Sequence, residues 1–356
     1  MIKYTLVRTI WVFLVLAIIL SLNFLLLKLA PSYPPTTEND RDIYYARQVF
    51  DGYMTVRTEA DPIVVSQLRN NEYVRDPNAY YKYLPQNNTY QIFEPVPIAV
   101  QYIRWVRNVV VDWNWGLSTR FAVNTPVFDV LKLRIPVTLK LNLISLFFYI
   151  PIGFGLGILA ALKKNSPTDN TISFGVMIFI SVPSFVVMTF LVMLFAYSLD
   201  WVPSQYLASD VGGSGIDMIL PVLGLSFGAI AGLTRVTRAE LTEVLTSEFL
   251  LLARTKGLTR KQAVIRHAMR NSMVPLIPGI IGSFVGLLSG SVIIEQIYGV
   301  PGTGTIFLRA MELNNYDYNL ILGITAFYTI ISLFAVLLVD LSYGVVDPRI
   351  RMGARK

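Results

Sequence analysis

The chain contains six apolar runs separated by polar connections, and each run is long enough to cross a hydrocarbon core as a helix. A spanning helix needs about 20 predominantly apolar residues. The predicted spans are residues 10–29, 139–162, 172–199, 216–233, 276–296 and 320–340. The pattern therefore predicts an all-α polytopic membrane protein with six transmembrane helices.

Basic residues in the short connections lie almost entirely on one side of these spans. They cluster before the first span, between the second and third, between the fourth and fifth, and after the sixth. The short connections on the other side, 200–215 and 299–319, contain only Arg309. Because positive charge resists translocation, both termini are predicted to be cytoplasmic.

The long connection after the first span is predicted to be an extracytoplasmic domain at residues 31–137, since a passive linker would not need this length. Its residues 97–117 have amphipathic spacing, which predicts a helix on the outer membrane surface. The tryptophans at 105, 113 and 115 are expected near headgroup level. The many tyrosines of residues 31–97 could contact an external partner, but it is favoured that they pack this domain or line the headgroup zone.

The remaining boundaries follow from the same pattern. An N-terminal transmembrane helix takes residues 1–30, a five-helix core takes 138–347, and a cytoplasmic tail takes 348–356. The first apolar run is longer than the core of a signal peptide and has no Ala-x-Ala site before Pro31. It is therefore predicted to be a retained spanning helix.

Composition narrows the chemistry that this chain can perform. Hydrophobic residues make up 54% and charged residues only 15%, which excludes an ordinary soluble domain. There is no cysteine, and His267 is the only histidine, so cysteine or multi-histidine metal sites and Ser-His or Cys-His catalysis have no basis. No G-x-x-x-x-G-K-[ST] stretch is present to hold a nucleotide phosphate. We expect no catalytic residue, cofactor or metal in this chain, and the clustering of charge explains the net +7 without nucleic acid.

Several residues in or near the spans have a predicted structural role. Gly282, Gly286 and Gly290 recur every four residues, so one helix face can pack closely against a second subunit or against its own bundle, and both alternatives stay open. Residues predicted to shape the pore, a gate or a helix end are Pro183, Glu295, Pro301, Gly302 and Asp340. For Glu295 and Asp340, snorkelling or a basic partner would relieve the cost of burial. The glycine-rich stretch after Pro301 is predicted to be a turn.

The connection at residues 240–275 is too structured for a simple linker. An amphipathic helix precedes Gly257, which should end it, and Thr259 can cap a second helix from Arg260 onward. In that second helix Ala263 and Ala268 can face one way while basic residues face water or an acidic groove. The pattern predicts a cytoplasmic docking element that lies on lipid or binds another protein.

These residues resemble the inner-membrane permease subunits of ABC importers, specifically the oligopeptide and dipeptide group. The resemblance is carried by Ala253-Arg-Thr-Lys-Gly-Leu258, Arg266-His-Ala-Met-Arg-Asn271, Arg134-Ile-Pro-Val-Thr-Leu139, Ser181-Val-Pro-Ser-Phe185, Gly299-Val-Pro-Gly-Thr-Gly304 and Asp347-Pro-Arg-Ile-Arg351. Leu251 and Leu252 depart from the family pattern, where more polar residues are expected, and the segment 31–97 is longer than usual.

The resemblance implies a channel-forming subunit that has no ATPase site of its own. It implies a second homologous permease subunit, two ATP-binding subunits that hold ATP and Mg, an extracytoplasmic substrate-binding protein, a peptide substrate, and a bacterial or archaeal plasma membrane. It also implies an ATPase-coupling role for Glu248, Ala253, Arg254, Lys256, Gly257, Arg260, Arg266, His267, Arg270 and Asn271.

Two other classes of function compete with this one. A stand-alone secondary carrier or channel would need coupling-ion sites within the spans, and the sequence offers none. A signalling or scaffold protein would use the external domain as a sensor, and nothing in the chain favours it.

Overall fold

The structure, a computed structural model, describes residues 2–29, 34–73, 75–207, 215–288, 292–312 and 316–346, and it is mostly helical. The helices are α1 (Ile2–Leu29), α2 (Glu38–Phe50), α3 (Pro62–Arg69), α4 (Ile98–Asp112), α5 (Val127–Leu162), α6 (Pro167–Ser181), α7 (Ser184–Leu191), α8 (Ile219–Leu245), α9 (Glu248–Thr255), α10 (Arg260–Ala263), α11 (Met269–Leu288), α12 (Val292–Tyr298), α13 (Thr303–Ala310) and α14 (Tyr318–Val346). The strands are β1 (Met54–Glu59), β2 (Tyr80–Leu84) and β3 (Thr89–Pro95).

Four described helices are long and apolar enough to cross a membrane, and a fifth span is available if the helix pair α6 and α7 counts as one. The four candidates are Thr5–Leu29, Val127–Leu162, Ile216–Leu245 and Tyr318–Ser342. The predicted fifth span at 276–296 includes residues 289–291, which lie outside the described residues. The count of six spans therefore stays a prediction, as do the positions of the termini.

The predicted third span, 172–199, is not one straight helix. Helix α6 ends at Ser181, and the helical segment that follows it, Ser184–Ser198, is bent by 102° from the direction of α6. The cause is Pro183, because a proline forces the residue before it out of the helical region. Val182 accordingly has extended dihedrals, with φ −85° and ψ 127°, and α7 begins directly after the proline.

The chain divides into two compact units. The first consists of Met1–Leu16, Leu133–Leu308 and Phe327–Lys356. One core cluster in this unit joins Leu141, Met188, Leu220 and Tyr298, all nearly inaccessible to solvent. Gly224 permits the cluster, since a Cβ there would lie 2.9 Å from Met188 and 3.4 Å from the Tyr298 ring.

The second unit, Ala17–Lys132 with Arg309–Ala326, contains a sheet that the sequence pattern did not predict. The three strands pair antiparallel in the order β1-β3-β2, with Val56 opposite Phe93 and Tyr81 opposite Ile92. The prediction of an all-α chain is therefore wrong for this segment. The predicted domain boundaries at 31 and 137 stay a prediction.

Aromatic side chains form much of the interior of the second unit. Tyr45 stacks on Tyr80 with centroids 4.2 Å apart, and Tyr90 is buried beside Leu68. The structure thus shows packing within the domain for these tyrosines, which is one part of the favoured explanation; the other part, a position at the headgroup zone, stays a prediction. Trp105 and Trp115 are also buried, whereas Trp113 is exposed, and the expectation that all three lie near headgroup level stays a prediction.

Candidate functional site

Residues 240–275, which run from the end of α8 into the start of α11, are called the coupling segment. Between those two helices the segment folds as a short helix, a tight turn and a second helix. Helix α9 covers Glu248–Thr255, and α10 begins at Arg260. The structure thus ends and restarts the helix where the sequence predicted it. Helix α10 continues through a π-helical turn, Val264–Ala268, into α11. The second helix is therefore continuous with α11 and is not a separate docking helix.

Gly257 makes the turn between the two helices. Its φ of +91° lies in a region of backbone conformation that residues with a side chain rarely adopt. The Gly257 N–H donates to the Arg254 carbonyl at 3.0 Å, and the Leu258 N–H donates to the Ala253 carbonyl at 3.4 Å. These two bonds form a Schellman motif, which satisfies the last carbonyl groups of α9.

Thr259 starts the second helix with a capping box. The Gln262 N–H donates to Thr259 Oγ1 at 3.3 Å, and the Thr259 N–H donates to Gln262 Oε1 at 3.1 Å. Two of the backbone N–H donors that the helix start leaves without an intrahelical partner are thereby paired. The turn at Gly257 and the cap at Thr259 together fix the direction in which α10 leaves α9.

The coupling segment has an apolar underside that packs into the first compact unit. Leu250, Ala263 and Ala268 are buried in one cluster with Ala161 of α5 and Leu241 of α8. The alternation of buried and exposed positions agrees with the amphipathic pattern of the sequence. This packing anchors both helices of the segment to α5 and α8.

The opposite face of the segment is exposed and rich in basic residues. Leu251 and Leu252, the two departures from the family pattern, are also exposed, at 62% and 56%. The predicted coupling residues that lie exposed are Glu248, Arg254, Lys256, Gly257, Arg260, Arg266, His267, Arg270 and Asn271, and Ala253 is half-buried. A groove lined by Leu250, Leu251, Arg254 and Arg260 runs along the segment between its buried and exposed faces. A basic surface with apolar centres suits an acidic groove of another protein.

A buried carboxylate connects the base of α6 to α8 close to this segment. Asp169 is 1% exposed and pairs with both ends of one guanidinium, Arg238 Nε at 2.6 Å and Arg238 Nη2 at 2.8 Å. The Asn165 N–H also donates to Asp169, at 2.9 Å. A bidentate pair of this kind fixes orientation as well as distance. Sequence reasoning counted Arg238 only as a topology signal and missed Asp169, whose position three residues after the Ser166 cap was the available signal.

Glu295 is held without any basic partner among the described residues. It is 1% exposed and accepts from Thr138 Oγ1 at 2.9 Å and from the Thr305 N–H at 2.8 Å. Neither snorkelling nor a cation relieves its burial, so that expectation is wrong. Hydroxyl and backbone N–H groups donate hydrogen bonds to the carboxylate instead, and these bonds offset the cost of its burial.

The loop after Pro301 is shaped around that carboxylate. A Cβ at Gly302 would lie 2.3 Å from Glu295 Oε1 and 2.5 Å from Thr138 Oγ1. Only glycine fits at this distance. The stretch is a turn only as far as Gly302, because α13 begins at Thr303. It connects the end of α12 to Thr138 in α5.

The other predicted structural residues have different surroundings. Asp340 pairs with Arg8 at 3.3 Å, which supplies the expected basic partner and connects the last helix to the first. A Cβ at Gly282 would meet no atom of the described residues within 4 Å. The surroundings of Gly286 and Gly290 lie outside the described residues.

No group of three or more His, Asp and Glu residues in the described part of the chain is arranged to hold a metal ion. The features assembled in the described part of the chain are an exposed basic face, a buried ion pair and a carboxylate network that closes around Gly302.

Comparison with known proteins gives consistent matches. The profile of the family described as binding-protein-dependent transport system inner membrane component matches residues 153–352. The chain is 36% identical over 255 residues to the oligopeptide transport system permease protein OppB of Escherichia coli K12, across 72% of this chain and 81% of that protein. It is 34% identical over 257 residues to the dipeptide transport system permease protein DppB of Bacillus subtilis 168, across 72% and 80%.

The fold also matches a solved structure. An inward-facing conformation of the MetNI methionine ABC transporter aligns with a TM-score of 0.51, covering 62% of this chain and 97% of that chain. The sequence identity is 18%, so this likeness speaks for the fold alone.

Proposed function

The chain belongs to the binding-protein-dependent transport system inner membrane components, and from this premise we propose that it forms half of a peptide path driven through its coupling segment. Membership makes it the multi-pass permease subunit of an ATP-driven importer, and it is not itself an enzyme. ATP is hydrolysed by separate ATP-binding subunits. The peptide substrate is proposed because the relatives that cover most of this chain are permeases of oligopeptide and dipeptide systems.

The observation that carries the proposal is the two-sided character of the coupling segment. Its underside is anchored through Leu250 and Ala263, and its other side presents Leu251, Arg254 and Arg260 to solvent. A segment anchored to the spans and open on one face can pass a partner's movement into those spans as a rigid lever. The predicted coupling residues are thus proposed to contact the ATP-binding subunits.

The partner permease is proposed to pack on the open glycine face of α11. A Cβ added at Gly282 would meet no atom of the described residues within 4 Å, so no described part of its own bundle packs on it. Small residues let backbones approach closely. This supports the second-subunit alternative over packing within one bundle. A substrate-binding protein on the opposite side completes the proposed complex.

The experiment is ATP-dependent uptake by the reconstituted complex, with a panel of di- and oligopeptides. Arg254→Glu and Gly257→Asp should abolish uptake or assembly with the ATP-binding subunits. Lys132→Glu is the control, because it reverses an exposed charge on α5 outside the coupling segment. If both coupling variants assemble and transport as the unmodified complex does, the coupling role is wrong. If the unmodified complex transports other solutes but no peptide, the substrate class is wrong.

A further inference from the structure

A pocket in the second compact unit lies where two membrane-spanning helices end. Its lining includes Lys28 in the last turn of α1, and Tyr318 and Asn319 in the first turn of α14. Both helices are candidate spans, so their ends lie at the level of lipid headgroups. The cavity has a volume of about 80 Å³ and is partly open to solvent.

Two of the polar groups in this pocket are buried donors that have no acceptor among the described residues. The indole N–H groups of Trp105 and Trp115 are buried and donate to none of the described residues. The ammonium of Lys28 lies 5.7 Å from the ring of Phe24 and 5.2 Å from that of Tyr53. No Asp or Glu is among the described lining residues. Because buried donors normally have partners, this lining suits an acceptor-rich anion.

The tyrosines of the pocket add no negative charge. Burial raises the pKa of Tyr44, and it raises the pKa of Tyr53 to about 12. Both hydroxyls are therefore neutral at physiological pH. Asp317 and Asp51 lie close to these tyrosines but are not among the described lining residues, and both already accept hydrogen bonds, from Ser118 and Asn114 respectively.

The wall of the pocket is formed in advance of any ligand. Gly116 has φ +85°, and a Cβ there would lie 2.8 Å from Asn319 Nδ2. Asn319 Nδ2 donates to the Leu117 carbonyl at 2.9 Å. Beside it, buried Asp317 accepts from Ser118 Oγ at 2.5 Å and from the Thr119 N–H at 2.9 Å. A pre-formed site binds with little ordering cost.

The surroundings favour a lipid over a soluble anion. Leu22, Leu25 and Leu29 form an exposed apolar stripe on α1, and its Leu25 lies three residues before Lys28, next to the pocket-lining face of the helix. We propose that the pocket binds the phosphate of an anionic phospholipid, with Lys28 pairing the phosphate and the acyl chains lying along this stripe. Lys28 is the only cation among the described lining residues, so an anionic headgroup is preferred over a zwitterionic one.

Native mass spectrometry of the purified transporter complex tests this proposal. The complex is delipidated and titrated with phosphatidylglycerol or phosphatidylcholine of the same acyl chains. The unmodified complex should bind phosphatidylglycerol more tightly, and Lys28→Gln should weaken that binding about fivefold. Trp115→Phe keeps the ring but removes one donor, and it should weaken binding of both lipids. Lys132→Gln removes an exposed positive charge outside the pocket and should change neither.

The arms of the experiment separate the possible results. Equal phosphatidylglycerol binding by the unmodified complex, Lys28→Gln and Lys132→Gln would overturn the proposal. Displacement of the lipid by millimolar inorganic phosphate or glycerol phosphate would keep an anion site but overturn its assignment to lipid. Unchanged thermal unfolding midpoints of Lys28→Gln and Trp115→Phe show that loss of binding is local. If either Lys28→Gln or Trp115→Phe unfolds, lipid binding by the variant that remains folded tests the proposal.

Discussion

Glu295 shows how this chain buries a carboxylate inside a helical bundle. Thr138 and the backbone of residues 304–305 supply hydrogen bonds where a lysine or arginine was expected. The sequence could locate Glu295, because an acidic residue at the end of an apolar run stands out. It could not identify Thr138, because 157 residues separate the two along the chain.

Gly302→Ala should destabilise the protein, because the added methyl group would lie within 2.5 Å of both Glu295 and Thr138. Overpacking of this kind costs about 1–3 kcal/mol. The midpoint of thermal unfolding in detergent measures the loss. Gly155→Ala is the matched control, since its Cβ would meet nothing within 4 Å. Equal midpoints for the two variants would show that the carboxylate network tolerates displacement.

Arg238→Leu should leave the buried Asp169 carboxylate without its cation and cost about 3 kcal/mol. Arg235→Leu, one turn earlier on α8 and exposed, should change the unfolding midpoint little. Both substitutions remove one positive charge from the same helix. If the two variants lose the same stability, the ion pair with Asp169 does not hold α6 to α8.

Helices and turns were the most predictable part of the candidate site. Glycine at 257 and threonine at 259 are local signals, and the structure uses them for a Schellman turn and a capping box. The π-helical turn at Val264–Ala268 was not predicted, because a π turn has the same apolar pattern as an α-helix over so few residues. The proline at 183 is a local signal for a bend, but the angle of that bend depends on packing.

Gly257→Ala tests the turn without adding a steric clash, because a Cβ there would meet no atom within 4 Å. The substitution forces a side chain into a left-handed conformation at a cost of about 1–2 kcal/mol. It should lower ATP-dependent uptake while the complex still assembles. Asparagine tolerates this region better, so Gly257→Asn should retain more uptake than Gly257→Ala. The reverse order would mean that the conformation of the turn is unimportant.

At the scale of the whole molecule, the apolar runs were enough to predict a helical membrane protein. They did not predict the sheet of residues 54–95, because the tyrosines and turn residues there carry no long-range pairing information. They also predicted one straight span at residues 172–199, where the structure has the two helices α6 and α7. The family itself followed from several short motifs together, and the matches with OppB and DppB confirm it.

The contact between the coupling segment and the ATP-binding subunits can be measured directly, because the chain contains no cysteine. A single Leu251→Cys variant, assembled with cysteine-free ATP-binding subunits, is labelled with a thiol-directed photo-crosslinker. We predict a crosslink to an ATP-binding subunit whose yield changes when ATP is added. The control is Phe50→Cys, an exposed position in α2 that should give no such product. No crosslink at residue 251, or an equal yield at residue 50, would contradict the proposal that ATPase movement enters the permease through this segment.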